Sequence, residues 1–198
     1  MSERSIDLKR DTKETQIQLS LSIDGAGNTE IETGIPFMDH MLDLLGKHAL
    51  FNLAMEAKGD LEVDYHHLVE DVGMLLGEAL NKTLDERRGI VRYGFSLLPM
   101  DDALARVAVD LGGRPYLVYD INNRKRKIRD FDLGLIEHFF RSFVDNARIN
   151  LHIAQLYGKD PHHAYEAVFK GVARALRMAC TIDGRAADSI PSSKGRIV

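Results

Sequence analysis

The runs DYHHLVEDVGMLLGEAL at residues 64–80 and PHHAYEAVFKGVARAL at residues 161–176 open alike. Each has two adjacent histidines, a glutamate four residues after the first, and then apolar residues at helical spacing. Laid over one another without gaps, residues 66–80 and 162–176 are identical at six of fifteen positions: His66/His162, His67/His163, Glu70/Glu166, Val72/Val168, Ala79/Ala175 and Leu80/Leu176. Upstream, His40 in MDHML matches His138 in IEHFF, 26 residues before the first pair and 24 before the second. A repeat of about 97 residues is too long for a solenoid unit and indicates a duplicated half-domain.

Each copy carries the same order of elements. Ile17, Leu19, Leu21 and Ile23 alternate with polar residues, predicting a half-buried strand over 13–23. DGAGN at 24–28 predicts a hairpin turn, with 29–34 as the returning strand. Pro36 sits where a helix starts, and Phe37, Met41, Leu44 and Leu45 share one face of it. FNLAMEAKG alternates again, LEVDY at 61–65 predicts another short strand, and the first His-His segment opens a helix to about Leu84. In the second copy, strand-like runs around 93–98, 103–110 and 115–121 precede a helix over DLGLIEHFFRSFVDNAR. INLHIAQLYG then mirrors FNLAMEAKG, and the last helix runs to about Ala179. The fold class is therefore α+β, two related half-domains over 1–91 and 92–198. Each is a mostly antiparallel sheet with helices on one face, and together they form one compact domain. The basic run NNRKRKIRD at 122–130 is expected to be a solvated connecting loop.

The bulk numbers exclude several classes. A net charge of −4, from 30 acids and 26 bases, gives no field for nucleic acid or anionic membrane. No run of about 18 apolar residues is present, and the first residues lack the apolar centre of a secretory signal. The single cysteine, Cys180, rules out an intrachain disulfide and reads as a small buried hydrophobe at a helix end. A cytoplasmic enzyme is the expectation.

Residues four apart lie above one another on a helix, so His66 converges with Glu70 and His162 with Glu166. An imidazole nitrogen and a carboxylate oxygen so placed can hold one divalent metal. His67 and His163 point about 100° away around the helix and cannot easily share their neighbour's metal. If the halves face each other by a pseudo-twofold, His67 joins His162 and Glu166, while His163 joins His66 and Glu70. One upstream histidine each then completes two His₃Glu sets, although spacing does not fix which takes His40 and which His138. Such sets suit Mn, Fe or Zn.

TGIPFMDHMLDLLGKH, DYHHLVEDVG, GRPY, IEHFFRSFV, HHAYEAVFK and SSKG resemble, in order and from about Glu14 to Lys194, the monofunctional imidazoleglycerol-phosphate dehydratases of histidine biosynthesis. The resemblance implies a fold like the second domain of ribosomal protein S5, and dehydration of imidazoleglycerol phosphate to imidazoleacetol phosphate. It implies two Mn²⁺ per active site, with Fe, Co or Zn as substitutes, and a 24-subunit homo-oligomer with active sites between subunits. It assigns the ligands as His40, His67, His162, Glu166 and as His66, Glu70, His138, His163. Metal on both ring nitrogens would favour an imidazolate, whose electrons can expel the distal hydroxyl or stabilise a diazafulvene-like intermediate.

The resemblance further implies Glu14 as the acid/base carboxylate and His48 as a positioning group near the substrate. Arg92, Arg114, Ser192, Ser193 and Lys194 match phosphate-contacting positions, where guanidinium binds bidentately and lysine supplies a compact charge. Leu44 stands where many members have glutamine, which removes a polar contact but no ligand. Two rivals share the metals. A dinuclear phosphoester hydrolase needs a bridging carboxylate, and each set has only one carboxylate. A metal-storage shell of the ferritin type uses Glu-x-x-His on bundle helices, the reverse order, and has no use for a phosphate pocket.

Overall fold

The first sheet is built on strands whose buried and exposed residues alternate. In β2 (Thr15–Ser22), Ile17, Leu19 and Leu21 are at most 3% exposed while Gln16, Gln18 and Ser20 face out. β2 pairs antiparallel with β1 (Ser5–Asp11) on one side and with β4 (Asn52–Gly59) on the other. β3 (Thr29–Glu32) lies beyond β4 and runs parallel to it, giving the order β1-β2-β4-β3. The second sheet repeats this order. β5 (Tyr93–Met100), β6 (Ala103–Asp110) and β10 (Asn150–Tyr157) are antiparallel neighbours, and β7 (Tyr116–Asp120) runs parallel to β10 at the edge. The computed structural model describes residues 4–122 and 126–197.

Strand register makes the duplication explicit. Asn52 pairs with Ser22 in the first sheet, and Asn150 pairs with Asp110 in the second. Carried along the strands, this places Thr15 in correspondence with Ala103, Glu14 with Asp102, Arg10 with Leu98 and Asp7 with Phe95. The β1–β2 and β5–β6 registers agree, since Asp11 pairs with Gln16 and Pro99 with Leu104.

Among the described residues, four helices fill the space against the inner faces: α1 (Pro36–Ala49), α2 (His66–Leu84), α3 (Leu135–Ala147) and α4 (Pro161–Cys180). They pack across the halves, α1 on α4 and α2 on α3. Gly73 and Gly77 let α2 and α3 approach at backbone distance: a Cβ at either would stand 2.5 Å from Phe139 O or 2.3 Å from Phe143 O. Phe139, Phe140, Phe143 and Phe169 form an aromatic cluster there, with centroids 5.0 Å apart for Phe140 and Phe169. Burying each such ring contributes about 2–3 kcal/mol. One hydrophobic core runs through both halves.

The expected pairing of 29–34, the expected strand LEVDY and the expected loop over the basic run are corrected, and a strand over Ser5–Asp11 is added. Residues 29–34 do not return against β2, because β1 and β4 already take both of its edges. LEVDY is a turn: Val63 N–H donates to Asp60 O at 2.8 Å, and Asp64 Oδ1 accepts from His66 N–H at 2.7 Å. Ser5–Asp11 is a strand, its charged outer residues masking the Ile6 and Leu8 alternation. Of the basic run, Lys127–Ile128 (β8) makes a small hairpin with Phe131–Asp132 (β9) just beyond it, while residues 123–125 lie outside the described residues. The unequal outer faces are a further feature. Sheet one exposes Asp7, Lys9, Glu30 and Glu56, whereas sheet two exposes Tyr93, Phe95, Leu97, Tyr116 and Val118.

Candidate metal centre

Both His-His helices start at a pinned first turn. Asp64 and Asp160 accept the backbone N–H of His66 and His162 at 2.7 and 2.8 Å. Pro36 at the first position of α1 and Asp39 in its first turn, accepting from Thr33 N–H at 2.9 Å, fix the pitch that presents His40.

The α1–α4 packing brings His40 to the partner half. Its Nε2 lies 3.1 Å from Glu166 Oε1, and His162 Nε2 lies 2.9 Å from the same oxygen. The two imidazoles stack at 5.5 Å. Ligand atoms of His40, His162 and Glu166 all fall within 4.8 Å of one another. Burial of the Glu166 carboxyl would raise its pKa, but hydrogen bonds from Lys170 and the two histidines, with the Lys170 charge, overcome this and hold it at about 2. Glu166 is thus an anion whose second oxygen is held by Lys170.

The α2–α3 packing forms the matching group. His66 Nε2 is 3.9 Å from Glu70 Oε2, and the His66 and His138 rings are 4.7 Å apart. In the first group three of four candidate ligands converge inside one chain; in the second, His66, Glu70 and His138 are neighbours, but among the described residues only His40, His162 and Glu166 bring their ligand atoms within 4.8 Å of one another. His67 and His163 do not join them. Asp60 Oδ2 accepts from His67 Nδ1 at 3.0 Å, and Asp102 Oδ1 accepts from His163 Nδ1 at 2.8 Å. Those bonds, above all other causes, raise both histidines' pKa, and backbone N–H donation from Lys159, with His163 next, lowers Asp102 to about 2. With Nδ1 protonated toward a carboxylate, Nε2 is the ring nitrogen on the other side, and at His163 it lies 3.4 Å from Asp101 Oδ2. The pseudo-twofold closure of a four-ligand set does not occur within a single chain.

The remaining candidates fall in two places. Glu14 is exposed in the β1–β2 turn, close enough to His67 to raise that histidine's pKa. Arg92 grips Asp110 through Nε (2.7 Å) and Nη2 (3.1 Å), and its Nη1 donates to Pro191 O at 2.7 Å, beside Ser192, Ser193 and Lys194. Arg114 is exposed in the loop after β6, and among the described residues no hydrogen bond or ion pair joins it to the tail. His48 lies eight residues along α1 from His40, roughly 12 Å by helical rise. It lines a depression with Ser96, Leu97, Arg174 and Arg177. Burial first, then the charges of Lys170, Arg174 and Lys47, lower its pKa. Leu44 is core. Cys180 is buried, its thiol pushed up to about 12 by desolvation, which removes it from thiolate chemistry.

Sequence reasoning passed over Lys170, Asp60 and Asp102. Lys170 had a signal, four residues after Glu166 on the same helix face. Asp60 and Asp102 lie in turns with no periodic relation to the histidines they hold.

Comparison with known proteins meets this geometry. Residues 33–176 match the family model for imidazoleglycerol-phosphate dehydratase. The imidazoleglycerol-phosphate dehydratase of Azorhizobium caulinodans is 51% identical over 194 residues, 98% of each chain, and that of Geobacter metallireducens 50%, over 98% of this chain and 99% of its own. The crystal structure of the Staphylococcus aureus enzyme superposes with TM-score 0.83 at 40% identity, over 90% of this chain and 99% of that one. The Pyrococcus furiosus enzyme, crystallised with (S)-C348, gives 0.82 at 36%, over 96% and 99%. With this identity along nearly the whole length and the same fold, the chain belongs to the imidazoleglycerol-phosphate dehydratase family, hydro-lyases of histidine biosynthesis.

Proposed function

We propose that this chain removes water from imidazoleglycerol phosphate, giving imidazoleacetol phosphate, with two divalent metal ions, manganese foremost, at each active site. The observation that carries the reading is the convergence of His40, His162 and Glu166 from opposite halves. The donor set fits such an ion: two imidazole nitrogens with no other hydrogen-bond partner among the described residues, and a carboxylate kept anionic by Lys170. His40, His67, His162 and Glu166 hold one ion, and His66, Glu70, His138 and His163 the other. When bound, the ions supply Lewis acidity toward the substrate's ring and hold it in place.

The chain's own groups do the rest. Glu14, an acid outside both ligand sets, moves the proton from the middle carbon of the substrate's side chain to the hydroxyl departing from the carbon beside the ring, because loss of that hydroxyl and not of the distal one gives the acetol product. Loss of that proton and of hydroxide as water leaves an enol, which tautomerises to the ketone. His48, kept neutral by burial and nearby cations, positions a substrate hydroxyl. Arg92, Arg114, Ser192, Ser193 and Lys194 bind the phosphate, with Arg92 tying the tail's entry at Pro191.

The active unit is a homo-oligomer, 24 chains by resemblance, with sites shared between subunits. Two features support this: His67 and His163 stay outside the in-chain groups, and sheet two exposes an apolar face that the charged first sheet lacks. The test is metal-stripped protein with imidazoleglycerol phosphate, with and without Mn²⁺, followed by NMR for the ketone. Manganese-dependent ketone supports the reading. Release of inorganic phosphate instead points to a hydrolase, and metal binding without turnover sinks the lyase.

A further inference from the structure

The correspondence between the halves exposes one asymmetry that packing does not require. In the first half, Asp71 of α2 is 8% exposed, accepts from Thr15 Oγ1 at 2.5 Å, and has Arg10 Nε 3.0 Å from the same oxygen. The corresponding positions of the second half hold Ala167, Ala103 and Leu98, with Ala167 and Ala103 at 0% and 1% exposure. The same fold is therefore made with an apolar trio. Replacing buried ion pairs by apolar groups is often neutral or stabilising, so stability alone does not account for the charged version.

The two strand turns differ in a matching way. In the second half, Asp102 occupies the position of Glu14, and its carboxylate accepts from Lys159 N–H (2.7 Å), Asp160 N–H (3.2 Å) and His163. That turn is held by its own acid. In the first half, the Glu14 carboxylate has no hydrogen bond or ion pair among the described residues, and the turn is held beside it, through Thr15. Thr15 follows Glu14 as the first residue of β2, and Thr12 Oγ1 accepts the backbone N–H of both Glu14 (3.1 Å) and Thr15 (2.9 Å).

We propose that Asp71, with Thr15 and Arg10, is a positioning device that anchors the β1–β2 turn to α2, next to Glu70 and His67, and so leaves Glu14 free to work on substrate. This rests on the reading of Glu14 as the acid/base. Moving the anchor from the acid to its neighbour separates a structural duty from a chemical one, and a misplacement of about 1 Å in such a group costs up to about a hundredfold in rate.

The test transplants the second half's residues into the first, as Arg10→Leu/Thr15→Ala/Asp71→Ala, in the full-length manganese-loaded protein. The expected result is an unchanged oligomer, Mn²⁺ affinity and KM within about threefold, kcat at least tenfold lower, and faster amide exchange at residues 12–16. Added to Glu14→Gln, the triple change produces no further loss, because its effect passes through Glu14. If the triple variant does not fold, Asp71→Asn keeps the shape and Thr15's acceptor, and the same coupling to Glu14→Gln is read from it. A kcat within threefold of the parent, or full additivity with Glu14→Gln, overturns the proposal. Should Glu14→Gln alone retain full kcat, the acid/base reading falls instead, and unchanged exchange at residues 12–16 then overturns the anchor as well.

Discussion

His40 Nε2 and Glu166 Oε1 stand 3.1 Å apart, one on α1 of the first half and the other on α4 of the second. Neither half contains this centre alone. It is made where the duplicated helices cross, so the packing of α1 against α4 and of α2 against α3 decides where the candidate ligands meet. The same oxygen also meets His162, which makes Glu166 the hub of the group.

Removing that hub without changing its shape should therefore remove one centre. In Glu166→Gln, titration calorimetry with Mn²⁺ is expected to show one site per chain where the parent shows two. Lys170 loses its charged partner while remaining only 16% exposed, at a stability cost of about 1–3 kcal/mol. Glu70→Gln should remove the other site with a smaller stability loss, since Glu70 is 45% exposed. Two intact sites in either variant would refute the ligand assignment.

Gly77→Ala tests the other crossing. Its Cβ would meet Phe143 O at 2.3 Å and Ala147 N at 2.9 Å, both backbone atoms that move only with the helix. The urea midpoint should correspond to a loss of about 1–3 kcal/mol, and displacement of α3 should carry His138 from His66 and weaken one Mn²⁺ site. Gly184→Ala, with nothing within 4 Å, should stay within about 0.5 kcal/mol of the parent. Equal stability for both variants would contradict the close α2–α3 approach.

The helices and the doubled motif were legible because His66, Glu70, His162 and Glu166 sit on a period the chain itself imposes. Strand partners were not. Thr29–Glu32 is adjacent in sequence to β2, yet pairs beyond β4, and only the occupied edges of β2 decide that. Likewise nothing local to His67 or His163 announces Asp60 or Asp102, because both carboxylates reach them through turns. Asp71 was visible as the one charged residue facing Ala167 in the alignment of copies, but its burial against Thr15 needed the fold.

The apolar outer face of sheet two makes a separate prediction. By register, Phe95 and Leu97 correspond to Asp7 and Lys9 of the charged sheet, so Phe95→Asp/Leu97→Lys copies the outer surface of one half onto the other. Both side chains are over 60% exposed, so the folded chain should keep its far-UV spectrum and melt within a few degrees of the parent. Light scattering in Mn²⁺ should show a smaller assembly. An assembly of unchanged mass would show that this face is not a subunit contact.

His48 supplies the pH prediction. Burial and the charges of Lys170, Arg174 and Lys47 put its folded pKa below the ordinary 6.5, with only Glu166 pulling the other way. As pH falls through 6.5 toward the folded value, the unfolded chain binds a proton that the folded chain refuses, so His48 subtracts stability over that window. His67 and His163 have raised values and act oppositely, adding stability below 6.5 and losing it as pH rises through their folded values. The whole-protein profile therefore mixes signs, and the informative quantity is the difference between the parent and His48→Gln. In the metal-free protein, the parent should lose more stability than His48→Gln between pH 7.5 and 5.5. The His48 ring resonance should titrate with a midpoint below 6.5. A midpoint above 6.5 would contradict the burial and the facing Lys170 and Arg174 charges, and a midpoint above neutrality would make the ring mostly imidazolium there and remove the neutral imidazole proposed to hold a substrate hydroxyl.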